Sequence, residues 1–143
     1  MIMSRMIVID TNVILSALQS RLGKSFELVS KIGTGLFDFA VSVPLVLEYE
    51  AILKKHSDRT IFSDTDIESF IDYLCAAGTK TKIFYLWRPY LKDPFDDHVL
   101  EVAINANASA IITFNKKDFT EAQNLGIAIQ TPKEFLAKRE KQQ

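Results

Sequence analysis

Apolar positions along the chain switch repeatedly between strand and helix periods. Ile7, Val8 and Ile9 form an uninterrupted β-branched run, the pattern of a strand covered on both faces, as in a parallel sheet. The run stops at Asp10. Val13, Ile14, Ala17 and Leu18 then share one helical face, which predicts a helix capped by Asn12 and ending near Ser20. After Gly23, the positions Phe26, Leu28, Val29 and Ile32 suit a second helix, stopped by Gly33-Thr34-Gly35. Phe37 to Val43 reads as a strand. Pro44 opens a helix carrying Leu45, Val46, Tyr49, Ile52 and Leu53, since the first helical turn does not need its missing N–H. The basic end Lys54-Lys55-His56 complements the partial negative charge of that helix's C-terminus.

Further on, Thr65-Asp66-Ile67-Glu68 predicts a capping box ahead of Ile67, Phe70, Ile71 and Leu74, with Gly78 closing the helix. Thr79 to Leu86 reads as a third strand, and the stretch from Trp87 to Phe95, with its two prolines, as a loop. Asp96 and Asp97 open a helix with Val99, Leu100, Val102, Ala103 and Ile104 as its apolar stripe. Ala110 to Thr113 is a fourth strand, Thr120 to Leu125 a short helix and Ile127 to Ile129 a fifth strand. Thr131-Pro132-Lys133-Glu134 forms another capping box, and the charged tail after Ala137 is expected to fray. Strands separated by helices imply parallel pairing through right-handed crossovers, hence a three-layer α/β/α sandwich. The expectation is one domain over residues 1–143, with its core from about residue 6 to 137.

Composition mainly excludes. Acids outnumber bases 18 to 17, so there is no overall basic field, and a nucleic acid would have to be met by a local patch. The single Cys75 excludes an internal disulfide or a multi-thiolate zinc site and reads as a small buried hydrophobe. His56 and His98 have no second histidine at ligand spacing. The apolar run before Asp10 is too short for a secretory segment, and no window approaches the roughly 18 apolar residues of a membrane span. A cytoplasmic protein without membrane contact is expected.

The acids have a common address. Asp10 ends the first strand, Glu48 lies in the first turns of the helix after the second, Asp97 heads the helix leading into the fourth, and Asp118 follows the fourth together with Thr113 and Asn115. Open parallel sheets bind ligands outside the C-terminal ends of their strands, where strand order reverses, and helix N-termini face the same edge. Each acid alone has an ordinary explanation: Glu48 and Asp97 complement a helix dipole, and Asp118 suits a turn. Asp10 is harder to dismiss, because an acid closing a buried strand is costly without a partner. Gathered on one rim, these carboxylates repel one another unless a cation lies among them. The available donors are hard oxygens, which select Mg²⁺ or Mn²⁺ over zinc. Such an ion orients water and draws phosphate oxygens, so the implied reaction is hydrolysis of a phosphodiester or phosphate ester.

Four segments carry a family resemblance: Val8-Ile9-Asp10-Thr11-Asn12-Val13; Pro44-Leu45-Val46-Leu47-Glu48-Tyr49-Glu50; Asp93 through Ala103; and Ile111-Ile112-Thr113-Phe114-Asn115-Lys116-Lys117-Asp118-Phe119. In this order and spacing the chain resembles the PIN-domain ribonucleases, and within them the VapC-like toxins of toxin–antitoxin pairs, from Met6 to about Thr131. The resemblance implies a Rossmann-like five-stranded parallel sheet ordered 3-2-1-4-5, an Mg²⁺ or Mn²⁺ site and single-stranded RNA as substrate. It also implies a cognate antitoxin and allows a homodimer, for which the helices after Gly23 and Thr65 offer surface. The family's first three acids carry over onto Asp10, Glu48 and Asp97. Asp10 and Asp97 would hold the principal metal, with Glu48 binding it or orienting the attacking water. Many members place an aspartate where this chain has Asn115, so Asp118 is taken as the fourth acid, completing the shell or holding a second ion. Thr11, Asn12, Thr113 and Asn115 are supporting groups, and Asp96 and Asp93 rank below Asp97 as rival ligands.

RNA would need positive charge and stacking surfaces near this rim. Lys116 and Lys117, and Arg88 with Trp87 and Tyr90, are the candidates, although solvated lysines and packed rings are the ordinary reading of such residues. Two other function classes remain. Asn115 in place of an acid suits a non-catalytic PIN-like module that binds RNA or protein. A haloacid-dehalogenase-like phosphatase also places an aspartate after its first strand, but it needs a second one at the position of Asn12.

Overall fold

A computed structural model describes residues 5–84 and 97–142, with the side chains of Asp97 and of residues 140–142 outside the description. Its sheet consists of β1 (Met6–Ile9), β2 (Asp38–Val41), β3 (Thr79–Lys80), β4 (Ala110–Ile112) and β5 (Ala128–Gln130). All pairings are parallel, in the order β3-β2-β1-β4-β5. Between the strands run α1 (Thr11–Gln19), α2 (Lys24–Ser30), α3 (Val43–His56), α4 (Asp64–Ala77), α5 (Asp97–Asn105) and a 3-10 segment (Lys116–Leu125); α6 (Pro132–Gln142) follows β5.

The uninterrupted apolar runs explain the layering. Successive strand residues point to opposite faces, yet Ile7, Val8 and Ile9 are all fully buried, as are Ile111 and Ile112. Both faces of the sheet are therefore covered by helices. Each such side chain stabilises the fold by roughly 1.5–3 kcal/mol. Because β2 and β3 extend to one side of β1 and β4 and β5 to the other, the C-terminal ends of β1 and β4 bound the crevice where strand order reverses. Among the described residues, no helix is long and apolar enough to cross a membrane.

Several boundaries differ from expectation for local reasons. Asp10, not Asn12, caps α1: its backbone is extended (φ −66°, ψ 152°) and its side chain accepts from the Thr11 N–H. The acid that ends β1 thus also begins α1, and Asn12 lies inside the helix. The capping box of α4 is Ser63 with Asp66, two residues earlier than the Thr65–Glu68 box; the reciprocal bonds measure 3.1 and 2.9 Å. The earlier start lets Asp64 meet Arg59 and leaves Glu68 to pair with Lys54 at 3.2 Å.

The third strand is two residues long instead of Thr79 to Leu86. Thr81 N–H still reaches the Val41 carbonyl at 2.8 Å, but β2 ends there and Ser42 turns the chain into α3 by accepting from the Leu45 N–H. Beyond this point β2 offers no ladder; Tyr85 and Leu86 lie outside the described residues. The segment after β4 is 3-10 with a break at Phe119, and Gly126 ends it at φ 79°, a left-handed conformation open to glycine. At the other end of β5, the Thr131–Glu134 box forms as expected, with bonds of 2.9 and 3.2 Å. Its helix continues to Gln142, past the expected fraying point, helped by Arg139 lying 5.1 Å from the centre of the Phe135 ring.

Gly78 closes α4 for a steric reason. Its φ of −84° is open to any residue, but a Cβ there would lie 2.8 Å from the Leu74 carbonyl and 3.2 Å from both Val41 methyls. Leu74 and Val41 belong to two elements, so neither can yield alone. Gly78→Ala is expected to cost about 1–3 kcal/mol of overpacking, measured by urea unfolding.

Candidate metal centre at the strand switch point

The Asp10 carboxylate is fixed on both oxygens. Oδ1 accepts from the Thr11 N–H at 2.8 Å, and Oδ2 accepts from the Thr113 hydroxyl at 2.8 Å. The backbone N–H of Asp10 donates to the Ile112 carbonyl at 2.9 Å, so β4 holds the main chain as well. Thr113 is fully buried, and its own N–H is bonded to the Gln130 carbonyl of β5 at 2.9 Å. Its hydroxyl accepts from the Asn115 N–H at 3.0 Å, which directs the hydroxyl proton toward Asp10. A carboxylate oxygen accepts about two bonds, so each oxygen of Asp10 retains acceptor capacity.

The environment is unfavourable for the charge these bonds orient. Burial raises the Asp10 pKa above its ordinary value; the Thr113 and Thr11 bonds oppose that rise, and the charge of Asp118 adds to it. Asp10 is 7% exposed. Among the described residues, the charge that bears on it is therefore another acid.

Glu48 lies half-buried on α3 next to Tyr49. Tyr49 is fully buried, and its hydroxyl donates to the carbonyl of Ile9, the residue before Asp10. Burial pushes the phenol well above its ordinary pKa, and the charges of Asp10 and Glu48 push the same way. The phenol therefore stays protonated, with both carboxylates acting on it. The sequence pattern places Tyr49 only in the apolar stripe of α3. Nothing in that pattern shows its bond to a main-chain carbonyl 40 residues away; the one available signal is that a buried tyrosine hydroxyl needs a partner.

Asn115 and Asp118 occupy different positions. The Asn115 side chain is exposed and makes no capping bond, while its carbonyl accepts from the Asp118 N–H at 3.0 Å. That turn brings Asp118, half-buried, within electrostatic reach of Asp10. Lys116 is committed elsewhere, bonding both Glu134 oxygens at 2.9 and 3.1 Å; Lys117 is exposed. Asp97 begins α5, its side chain lying outside the described residues, as do Trp87, Arg88, Tyr90, Asp93 and Asp96. Glu101, about one turn beyond Asp97, is a buried acid that the pattern does not single out.

Among the described residues, no group of three or more His, Cys, Asp or Glu is placed to hold a metal ion. The donor set nevertheless fits a hard cation. Asp10 is desolvated and feels the charge of another acid, and the buried Thr11 Oγ1 and Asn12 Oδ1 have no hydrogen-bond partner among the described residues. These are carboxylate, hydroxyl and amide oxygens, the donors that magnesium and manganese take.

Comparison with known proteins matches residues 6–117 to a family model described as PIN domain. No curated protein matches the sequence. Among solved structures, the fold is similar to a chain of VapBC-1 from nontypeable Haemophilus influenzae, with a TM-score of 0.63 and 16% identity over 90% of this chain and 98% of that one. A chain of VapBC2 from Rickettsia felis, solved bound to a DNA fragment from its promoter, gives a TM-score of 0.59 and 14% identity over 88% and 98%. A chain of FitAcB from Neisseria gonorrhoeae gives 0.62 and 16% over 88% and 97%. These likenesses establish the fold.

Proposed function

This chain belongs to the PIN-domain family, and from that premise we propose that it is a metal-dependent endoribonuclease hydrolysing phosphodiester bonds of single-stranded RNA. Nuclease activity is general in the family. The observation that carries the reading for this chain is the buried Asp10 carboxylate at the strand switch point, oriented by Thr113 and within electrostatic reach of Asp118.

In this reading, Asp10, Asp97, Glu48 and Asp118 would hold Mg²⁺ or Mn²⁺, with Thr11, Asn12 and Thr113 shaping the site. The ion, when bound, supplies a Lewis acid for a phosphate oxygen and orients a water. The chain's own part is to keep the Asp10 oxygens aimed, through the Thr11 N–H and the Thr113 hydroxyl, and to keep the crevice floor dry with Ile9 and Ile112. Of the two described lysines named for RNA contact, Lys117 is exposed and open to phosphate, whereas Lys116 would first have to leave Glu134. Similarity to VapBC and FitAcB chains supports a toxin whose partner is an antitoxin encoded beside it. Homodimerisation belongs to the same reading: in the stripes of α2 and α4, Leu28, Val29, Ile67, Ile71 and Leu74 are buried in the core, and the exposed Phe26 and partly buried Phe70 are the surface those stripes leave for a second copy.

The test is cleavage of a single-stranded RNA with millimolar Mn²⁺ or Mg²⁺. Cleavage is expected with either ion, is lost on chelation and returns on adding the ion back. RNA binding that persists without cleavage or Mn²⁺ uptake would favour the non-catalytic module that the exposed, uncharged Asn115 side chain suits.

A further inference from the structure

Two acids assigned to the proposed site come from segments far apart in sequence, and one hydrogen bond joins those segments a single residue away from each acid. Ile9 is the last residue of β1 and precedes Asp10; Tyr49 follows Glu48 on α3. The Tyr49 hydroxyl donates to the Ile9 carbonyl. We propose that Tyr49 is a positioning residue that sets the separation of the Asp10 and Glu48 carboxylates by tying α3 to the end of β1.

The placement suits that role. Tyr49 is fully buried, so no water competes for its hydroxyl or for the carbonyl it meets. The ring is packed in the core among side chains such as Leu45 and Leu53 of the same helix, which are also fully buried, and this fixes where the hydroxyl can reach. On the other side, the Asp10 N–H is bonded to β4 and its carboxylate to Thr11 and Thr113. Those bonds orient Asp10 relative to β4 and α1; the Tyr49 bond relates it to the helix that carries Glu48. A phenylalanine would keep the packing and lose only this tie.

The inference rests on the metal-site reading, and the experiment separates the two. Tyr49→Phe is compared with Ile71→Val, a core change on α4 that serves as a control for stability loss alone. In the metal-free protein, Tyr49→Phe is expected to displace the ¹³C carboxyl resonances of both Asp10 and Glu48, whereas Ile71→Val moves neither. With Mn²⁺, calorimetry is expected to show roughly tenfold weaker binding for Tyr49→Phe, the scale on which partners that orient ligands act. RNA cleavage should show kcat falling by a similar factor with KM unchanged within about twofold. Unmoved Asp10 resonances, or Mn²⁺ affinity equal to that of Ile71→Val, would overturn the proposal. If the unaltered protein took up no Mn²⁺, the metal site would fall, and the carboxyl resonances alone would decide whether Tyr49 positions Asp10.

Discussion

Asp10→Asn is expected to reduce RNA cleavage about a thousandfold, or about 4 kcal/mol of transition-state stabilisation, while the protein remains folded. The two effects separate because the carboxylate does different things in each. For the fold, asparagine keeps one oxygen to accept from the Thr11 N–H, as Oδ1 does now. Its NH₂ group would then face Thr113 Oγ1, which already accepts from Asn115 N–H and donates to Oδ2. The hydroxyl oxygen can accept from both N–H groups, but its own proton then loses Oδ2 as acceptor, a hydrogen bond worth about 1 kcal/mol. Against that, the substitution removes a charge that burial and Asp118 both disfavour. The net change in stability should stay within about 1 kcal/mol, since the two contributions oppose each other. For the proposed chemistry nothing compensates: a neutral amide replaces the anionic ligand on the rigid floor of the crevice. Circular dichroism and urea unfolding measure the first part and a cleavage time course the second. Mn²⁺ should raise the melting temperature of the wild-type protein by ligand linkage and leave that of Asp10→Asn unchanged. Undiminished cleavage by Asp10→Asn would remove Asp10 from the site.

What could be read from the sequence, and what could not, follows the range of the interactions involved. The position of Asp10 was legible because the hydrophobic period changes there: a β-branched run stops at an acid and a helical stripe begins. The parallel sheet followed from the alternation of periods, and its order 3-2-1-4-5 only from the resemblance; the observed order agrees. Local signals with two equivalent solutions were less secure. Both Ser63–Asp66 and Thr65–Glu68 have capping-box spacing; the first is the one that forms, and Arg59 and Lys54, which lie outside the motif, pair with Asp64 and Glu68. The length of β3 depends on where β2 stops, which the apolar run from Thr79 does not encode. The Tyr49 bond was invisible because a tyrosine in an apolar stripe looks the same whether its hydroxyl meets water or a carbonyl 40 residues away. The sequence-based order of importance at the closing position, Asp118 ahead of Asn115, has a physical consequence that can be measured.

Asp118→Asn is expected to lower cleavage about a hundredfold, within the range seen when a group stabilising developing charge is removed; Asn115→Ala should change it by less than about threefold. The Asn115 side chain is exposed and makes no capping bond, and its contributions to the site are main-chain ones that alanine retains: an N–H to Thr113 and a carbonyl to Asp118. Asp118 is half-buried and brings a charge that reaches Asp10. The exchange variant, Asn115→Asp combined with Asp118→Asn, restores the number of acids but places the restored one on an exposed side chain. Cleavage by the exchange variant should therefore remain as low as that of Asp118→Asn alone. Recovery to near the wild-type rate would show that position 115 closes the site, with position 118 serving only the turn that supports it. Loss of Mn²⁺ binding in Asp118→Asn would make this residue a ligand of the first ion, whereas retained affinity with lost cleavage would assign it to the second ion or to the substrate.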